Sequence, residues 1–161
     1  MELEMNKRIA IIRIKGDCDI KQVVRDTFTM LRLYNKNTCV IITSTPSYLG
    51  MLQKVKDCVT WGEIDEATFK DLLLKRGKLP AKQKLDDKYI KDKTQLTTDD
   101  FIKQYFDFKK ELSDIPGLKP FFKLNPPIKG FERKGTKKPF SQGGALGYRK
   151  DKINELIKRM I

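Results

Sequence analysis

The stretch RIAIIRI, residues 8–14, decides the fold of this chain. Its four isoleucines form a short apolar run rich in β-branched residues, which is typical of a buried strand. The sequence GDCD at 16–19 breaks the strand, and Asp19 is predicted to cap the helix that follows. The apolar face of that helix is predicted, from helical spacing, to contain Ile20, Val23, Val24, Thr27, Phe28 and Leu31.

Two more strands and a second helix complete the pattern around this first strand. The strands are TCVIIT at 38–43 and VTWGEI at 59–64. Between them Thr45 is a predicted N-cap, and Pro46 occupies the first helical position, where a missing N–H costs nothing. The inward face of this helix is predicted to consist of Leu49, Leu52 and Val55. We therefore expect a β-α-β-α-β core in residues 1–65, with both helices on one face of a three-stranded sheet. The other face requires later segments or a partner.

The sequence after residue 65 predicts a C-terminal extension made of helices and extended segments, so the expected fold class is α+β. The predicted segments are a helix at 66–77 ended by Gly77, a charged surface connection at 78–96, a helix at 97–112 capped by Thr97, an extended segment at 115–124 and an amphipathic helix at 151–161. We group them as residues 66–118, a helical extension with a charged linker, and residues 119–161, a basic tail ending in a short helix. The three parts are expected to form one compact unit.

The positive charge of the chain is concentrated at its C-terminal end. The net charge is +13 over 161 residues. Residues 119–161 hold 12 Lys or Arg and 3 Asp or Glu, a net charge of +9, whereas residues 1–67 and 68–118 carry +1 and +3. Such asymmetry indicates a polyanionic partner for the C-terminal part.

Residues 125–150, NPPIKGFERKGTKKPFSQGGALGYRK, show no helical or strand periodicity. Ordering this backbone costs roughly 1–2 kcal/mol per residue, and its few apolar side chains recover only about 1.5–3 kcal/mol each. The segment is therefore predicted to be ordered by an external polyanion and to be cleaved by proteases when free. The aromatic residues among the cations suit base stacking, which favours folded RNA over duplex DNA, since no recognition helix is evident. Docking of Phe131 on the chain's own core, and a solvated tail for the lysines, remain open.

Several kinds of chemistry are absent from the sequence. There is no histidine, and the cysteines Cys18, Cys39 and Cys58 lack metal-ligand spacing, so they predict reduced thiols in a cytosolic protein. The apolar runs are too short to span a membrane, and the N-terminal MELEMNKR does not resemble a signal peptide. These features predict a non-catalytic protein with no cofactor, no bound metal and no small-molecule substrate.

Two alternatives stay open. The doublets Asp86-Asp87 and Asp99-Asp100 could ligate Mg²⁺ in an RNA-processing enzyme, although linker charge and helix N-terminal charge explain them more simply. A chromatin-like protein that binds duplex DNA is the second alternative, because positive charge alone does not distinguish DNA from RNA.

Three segments resemble one known family: RIAIIRIKG at 8–16, TPSYLGMLQKVKDCVTWGEID at 45–65 and FFKLNPPIKGFERKGTKKPFSQGGALGYR at 121–149. They are similar to the archaeal form of the large-subunit ribosomal protein L-thirty family, whose eukaryotic counterpart is numbered seven. The resemblance implies a ferredoxin-like, mainly antiparallel sheet in the order 3-1-2. It also implies a structural constituent of the cytoplasmic 50S subunit that binds 23S rRNA near the 5S rRNA, beside neighbouring large-subunit proteins.

The resemblance also assigns RNA contacts. On the second helix these are Thr45, Pro46, Gly50 and Lys54, and in the tail they are Lys129, Arg133, Lys134, Lys137, Lys138, Gly143, Gly144, Tyr148 and Arg149. The basic and aromatic pattern adds Lys119, Lys123, Phe131, Phe140 and Lys150. Asn125 stands where the family has His, which puts a base-stacking role at that position in doubt.

Overall fold

The computed structural model describes residues 7–80, 83 and 85–161. Residues 1–6, and positions 81, 82 and 84 of the predicted connection, lie outside this description. The strands are β1 Arg8–Arg13, β2 Thr38–Thr43, β3 Val59–Glu63, β4 Phe122–Lys123 and β5 Gly147–Tyr148. The helices are α1 Gln22–Met30, α2 Pro46–Val55, α3 Glu66–Arg76, α4 Asp87–Thr94, α5 Thr98–Phe106 and α6 Lys152–Met160. Leu112–Asp114 and Phe140–Gln142 form single 3-10 turns.

The described strands form one sheet in the order β4-β2-β1-β3-β5. β1 lies at its centre and is antiparallel to β2 and β3, so the predicted central order 3-1-2 is confirmed. The expected three-stranded sheet is wrong, however, because the C-terminal part adds a short strand at each edge. β4 pairs antiparallel with β2, and β5 pairs parallel with β3. Each added strand has only two residues, which is too short for a periodic sequence pattern.

One face of the sheet packs against α1 and α2, as predicted. Because successive side chains of a strand point to opposite faces, Ile9 and Ile11 of β1 share this face. They form one core cluster with Phe28 of α1, Leu52 of α2 and Trp61 of β3.

The opposite face is covered by the later helices. Ala10 and Ile12 of β1 point to this side and pack in a second cluster with residues of α3, α5 and α6. The four apolar residues predicted for the last helix, Ile153, Leu156, Ile157 and Met160, are all fully buried here. The face that the sequence left bare is thus covered by the chain's own C-terminal half.

Several helix ends differ from the predictions. Thr45 and Thr97 cap α2 and α5 as predicted, accepting hydrogen bonds from the backbone N–H of Tyr48 and Asp100. Asp19, in contrast, is not a helix cap: it adopts a left-handed φ of 55°, and α1 begins only after Lys21. Val23 of α1 was predicted to face the sheet, but it is 62% exposed, whereas Thr27 and Phe28, predicted for the same face, are buried.

The charged segment 78–96 and the helix at 97–112 also need correction. Residues 87–94 form α4, whose only fully buried apolar residue is Ile90, so its amphipathic signal is weak. α5 ends at Phe106, because Phe108 takes a left-handed φ of 60° that a helix cannot continue. Among the described residues, no helix has both the length and the apolar character needed to cross a membrane.

Residues 125–150 have an internal fold, contrary to the prediction that only an external partner orders them. The backbone N–H of Lys134 donates to Gly143 O at 3.2 Å, and that of Ala145 donates to Gly135 O at 3.1 Å. Left-handed glycines, including Gly135 and Gly143, make the turns that allow these bonds. Backbone hydrogen bonds and one buried arginine stabilise this fold in addition to the few apolar side chains.

Candidate nucleic-acid interface

Most of the predicted cationic contacts lie on the protein surface. Exposed side chains are found at Lys119, Lys123, Lys129, Arg133, Lys134, Lys137, Lys138 and Lys150. Within the described part of the chain, no salt bridge joins any of these eight residues to an acidic group. Eight positive charges of residues 119–161 are therefore available to an external anion.

Arg149 is the exception among the predicted cations, because the residue is only 2% exposed. Its guanidinium donates to Glu132 Oε1 at 2.6 Å, to Ala145 O at 2.8 Å and to Thr60 Oγ1 at 2.8 Å. Contrary to the predicted RNA contact, the N–H groups of the Arg149 guanidinium donate to groups inside the protein. These bonds join the loop to β3.

Glu132, the only acidic residue of 125–150, is fixed by the same interaction. Burial raises the pKa of its carboxyl group, but hydrogen bonds from Arg149 and the backbone, together with nearby positive charge, outweigh burial. The pKa of Glu132 consequently lies below its ordinary value. Its negative charge is thus neutralised within the fold and does not oppose an approaching polyanion.

The predicted glycine contacts divide into two kinds. A Cβ at Gly144 would lie 2.1 Å from Lys138 O, and Gly143 has a φ of +85°, so the loop itself requires glycine at both positions. A Cβ at Gly50 on α2 would meet no atom within 4 Å. No contact within the described chain explains a glycine inside this helix, where it costs about 1 kcal/mol relative to alanine.

The other predicted residues of α2 surround Gly50 on an accessible surface. Pro46, Gly50 and Lys54 are exposed, and Thr45 is half-buried as the N-cap. The helix N-terminus adds positive electrostatic potential at the same place, because the first backbone N–H groups have no helical acceptor.

The three predicted aromatic contacts have different environments. Phe131 is half-buried against both the second core cluster and a small cluster around Ile14, so the alternative of docking on the chain's own core holds for it. Phe140 lies under the guanidinium of Arg149, 4.7 Å from carbon to ring centroid. Tyr148 lies beside Trp61 with ring centroids 6.5 Å apart, and its hydroxyl donates to Glu63 at 2.9 Å.

The C-terminal part meets α2 at a cleft of about 820 Å³. The cleft is lined by Lys15, Gln53, Lys56, Asp57, Trp61, Lys137, Pro139, Phe140, Ser141, Leu146, Gly147 and Tyr148. Of these residues, the sequence predicted Lys137, Phe140 and Tyr148 as RNA contacts and missed the others, among them Lys15, Gln53, Lys56 and Trp61. The available signal was the helical spacing from Gly50 to Gln53 and Lys54, which places them on one surface stripe of α2.

The aspartate doublets have structural partners. Asp99 accepts from Lys70 Nζ at 2.5 Å, and Asp87 accepts from Thr98 Oγ1 at 2.5 Å, at the starts of α5 and α4. The Lys70 hydrogen bond and charge lower the pKa of Asp99 despite the opposing effect of desolvation. In the described ranges, no group of three or more His, Cys, Asp or Glu side chains could hold a metal ion.

The fold and this surface define a small, basic α+β protein whose exposed positive charge is concentrated in its C-terminal part. Residues 9–59 match the family model described as Ribosomal protein L30p/L7e. Archaeal relatives match across nearly the whole chain, and each is named "Large ribosomal subunit protein uL30".

The relative from Methanopyrus kandleri is 48% identical over 149 residues, which cover 92% of this chain and 100% of the relative. The relative from Methanosphaera stadtmanae is 48% identical over 94% of this chain and 99% of its own length. The relative from Nanoarchaeum equitans is 47% identical over 94% of this chain and 97% of its own length.

The chain belongs to the ribosomal protein L30p/L7e family, a family of large-subunit ribosomal proteins. It is a ribosomal protein and not an enzyme, and it is located in the ribosome in the cytoplasm. The resemblance derived from residues 8–16, 45–65 and 121–149 is thereby confirmed.

Proposed function

We propose that this chain is a structural, non-catalytic constituent of the large ribosomal subunit that binds 23S rRNA through residues 119–161 and α2, close to the 5S rRNA. The observation that carries this proposal is that eight of the cations predicted to contact RNA in residues 119–161 are exposed and form no salt bridge with a described acidic residue. Cations that release counterions from RNA phosphates supply most of the affinity in such complexes.

The internal fold of residues 125–150 favours tight binding. A loop that is already ordered loses less conformational entropy when it binds than a flexible tail does. Its backbone hydrogen bonds, and the bonds from Arg149 to Glu132 and Thr60, hold the neighbouring Arg133, Lys134 and Lys137 in fixed positions. Irregular loops of this kind suit the irregular grooves of folded RNA better than a regular duplex.

α2 provides the second contact of the proposed interface. Phosphate oxygens are favoured at its N-terminus, near Thr45 and Pro46, because free backbone N–H groups and the helix dipole attract anions. The missing side chain at Gly50 allows an RNA backbone to approach the helix closely. Lys54, one turn further, is exposed and adds a positive charge.

Filter binding of the full chain to 23S rRNA over a range of salt concentrations tests the proposal. We expect replacement of Arg133, Lys134, Lys137 and Lys138 by Gln to reduce the slope of log K against log salt by about 3. The matched control replaces the exposed Lys88, Lys91, Lys93 and Lys103 of α4 and α5 by Gln, which removes the same net charge elsewhere.

Equal effects of the two fourfold variants would contradict the assignment of the interface. Equal competition by duplex DNA and folded rRNA would instead favour a general polyanion binder.

Proximity to 5S rRNA requires its own test. A hydroxyl-radical probe attached through Gln142→Cys, in a Cys18→Ser background, is expected to cleave both rRNAs in assembled subunits. Cleavage confined to 23S rRNA would refute that part.

Neighbouring large-subunit proteins are the remaining proposed partners. Val23 and Met30 of α1 are 62% and 68% exposed. Exposed apolar residues of this size are suitable contacts for another protein. Cross-linking from Met30→Cys in assembled subunits is expected to capture a ribosomal protein, and capture of rRNA alone would contradict this.

A further inference from the structure

We propose that the cleft between α2 and the C-terminal part holds a single unpaired nucleotide of RNA; this inference rests on the proposed function and adds a specific site to it. The cleft measures about 820 Å³, a size typical of small-molecule sites rather than of a surface groove. It lies at the β5 edge of the sheet, on the side that carries α2, and three of the predicted RNA contacts, Lys137, Phe140 and Tyr148, line it.

Trp61, one of the residues that line the cleft, carries a buried hydrogen-bond donor without a partner among the described residues. Trp61 lines the cleft and is only 2% exposed, yet its indole Nε1 has no hydrogen-bond partner in the described chain. Buried polar groups in native proteins are nearly always paired, so an unpaired donor on a residue that lines a cleft points to an acceptor supplied from outside. Ring nitrogens and carbonyl oxygens of nucleobases are such acceptors.

The aromatic side chains around Trp61 suit a planar ligand. Tyr148 pairs with Trp61 across the parallel β3–β5 ladder, and Phe140 lines the cleft from the 3-10 turn. Proteins that read unpaired RNA use this combination, in which an extruded base stacks on aromatic rings while its edge forms hydrogen bonds.

The charges at the cleft suit the phosphates that accompany such a base. Lys15, Lys56 and Lys137 line the cleft, from the end of β1, the end of α2 and the C-terminal part respectively, against a single carboxylate at Asp57. Three cations on three separate segments can neutralise the backbone on either side of one nucleotide. A planar, hydrogen-bonding and anionic ligand is therefore indicated, and a nucleotide has all three properties.

The position of the cleft connects it to the proposed RNA surface. Gln53 of the cleft lies one helical turn after Gly50, so both are on the same stripe of α2. An RNA strand that passes Gly50 closely would therefore reach the mouth of the cleft within a few nucleotides. This continuity favours a nucleotide of bound RNA over a free mononucleotide.

The intrinsic fluorescence of Trp61 provides the first test, because Trp61 is the only tryptophan of the chain. The full chain is titrated with an RNA hairpin carrying one bulged nucleotide, with a fully paired hairpin of equal length, and with adenosine monophosphate. We expect the bulged hairpin to quench Trp61 and to bind about tenfold more tightly than the paired hairpin. The mononucleotide is expected to bind much more weakly.

The second test uses Gln53→Glu, which adds a negative charge to an exposed wall of the cleft without disturbing the core. Gln95→Glu, at the C-terminal end of α4, is the matched control because it changes the net charge equally. We expect Gln53→Glu to abolish the preference for the bulged hairpin and Gln95→Glu to leave that preference unchanged.

The outcomes separate this inference from the proposed function. Binding of rRNA with unchanged Trp61 fluorescence, or equal effects of the two Gln→Glu variants, would overturn the nucleotide site alone. Mononucleotide binding as tight as that of the bulged hairpin would overturn the assignment to RNA. Failure to bind any of the RNAs, including 23S rRNA, would overturn the proposed function together with the site.

Discussion

Arg149 Nη1 lies 2.6 Å from Glu132 Oε1, an ion pair between residues 17 positions apart in the most basic part of the chain. The side chain of Arg149 is 1% exposed and that of Glu132 is 20% exposed, so solvent screens the pair only weakly. The interaction converts a residue predicted to contact RNA into one that holds the loop 125–150 against β3. The loop can then present its remaining cations from a fixed backbone.

Replacing Arg149 by Lys should destabilise the protein. Lysine has a single ammonium group, which cannot reach Glu132, Ala145 and Thr60 together, so at least one buried partner loses its bond. We expect the free energy of unfolding to fall by about 2 kcal/mol, measured by urea denaturation. The exposed Arg133→Lys, in the same loop, is the control and should change stability by less than about 0.5 kcal/mol. Equal stabilities would show that Arg149 is not a structural anchor.

The same ion pair predicts an acid dependence of stability. Because interactions in the folded protein lower the pKa of Glu132, the charged carboxylate stabilises the fold at pH values above its ordinary pKa of 4.5. This stabilisation is lost as the pH falls through the lower pKa of the folded state. The stability difference between wild type and Glu132→Gln should thus be largest at neutral pH and shrink on acidification to about pH 3. A difference independent of pH would contradict this assignment.

Gly50→Ala should separate stability from RNA binding. Since a Cβ at Gly50 meets no described atom within 4 Å, alanine should raise the free energy of unfolding by about 1 kcal/mol. If RNA approaches this turn of α2, the same methyl group should weaken rRNA binding. Gly144→Ala is the contrasting variant: its Cβ would lie 2.1 Å from Lys138 O, so it should destabilise the protein. A Gly50→Ala protein that is more stable and binds rRNA normally would exclude close approach there.

Truncation before α6 should unfold the chain. The helix buries Ile153, Leu156, Ile157 and Met160 completely. At about 1.5–3 kcal/mol for each side chain, their loss removes an amount comparable to the whole stability of a typical domain. A chain ending at residue 151 should therefore show no cooperative thermal transition by circular dichroism. The control Lys158→Ala, at an exposed position of α6, should keep the cooperative transition of the wild type. Retention of a cooperative transition would mean that the second core cluster does not depend on α6.

The three cysteines should react with a thiol reagent in a fixed order. Cys18 is exposed, and Cys58 is half-buried with a pKa raised chiefly by desolvation. Burial raises the pKa of Cys39 to about 12, so almost no thiolate is present at neutral pH. In a disulfide-exchange assay, Cys18 should react first, Cys58 more slowly, and Cys39 only after unfolding. Loss of the fast phase in Cys18→Ser would confirm the assignment, and rapid labelling of Cys39 in the native protein would contradict its place in the core.

The sequence determined the elements whose signals are local. β1, β2 and β3 follow from short β-branched runs, and the burial of Ile153, Leu156, Ile157 and Met160 follows from helical spacing. The caps at Thr45 and Thr97 follow from hydrogen bonds within one helical turn. The unequal distribution of charge also follows from the sequence alone, because it requires only counting.

The tertiary structure decided everything that depends on residues distant in the chain. β4 and β5 have two residues each and exist only because Lys123 meets Thr38 and Tyr148 meets Trp61. The burial of Arg149 depends on a hydrogen bond to Thr60, 89 positions earlier, and no local sequence pattern predicts such a partner. The cleft is likewise formed by three separate segments. Local periodicity predicts which face of a helix or strand is apolar. The pairing of distant groups is decided only when the chain folds, because the hydrogen bonds of all buried polar groups must then be satisfied together.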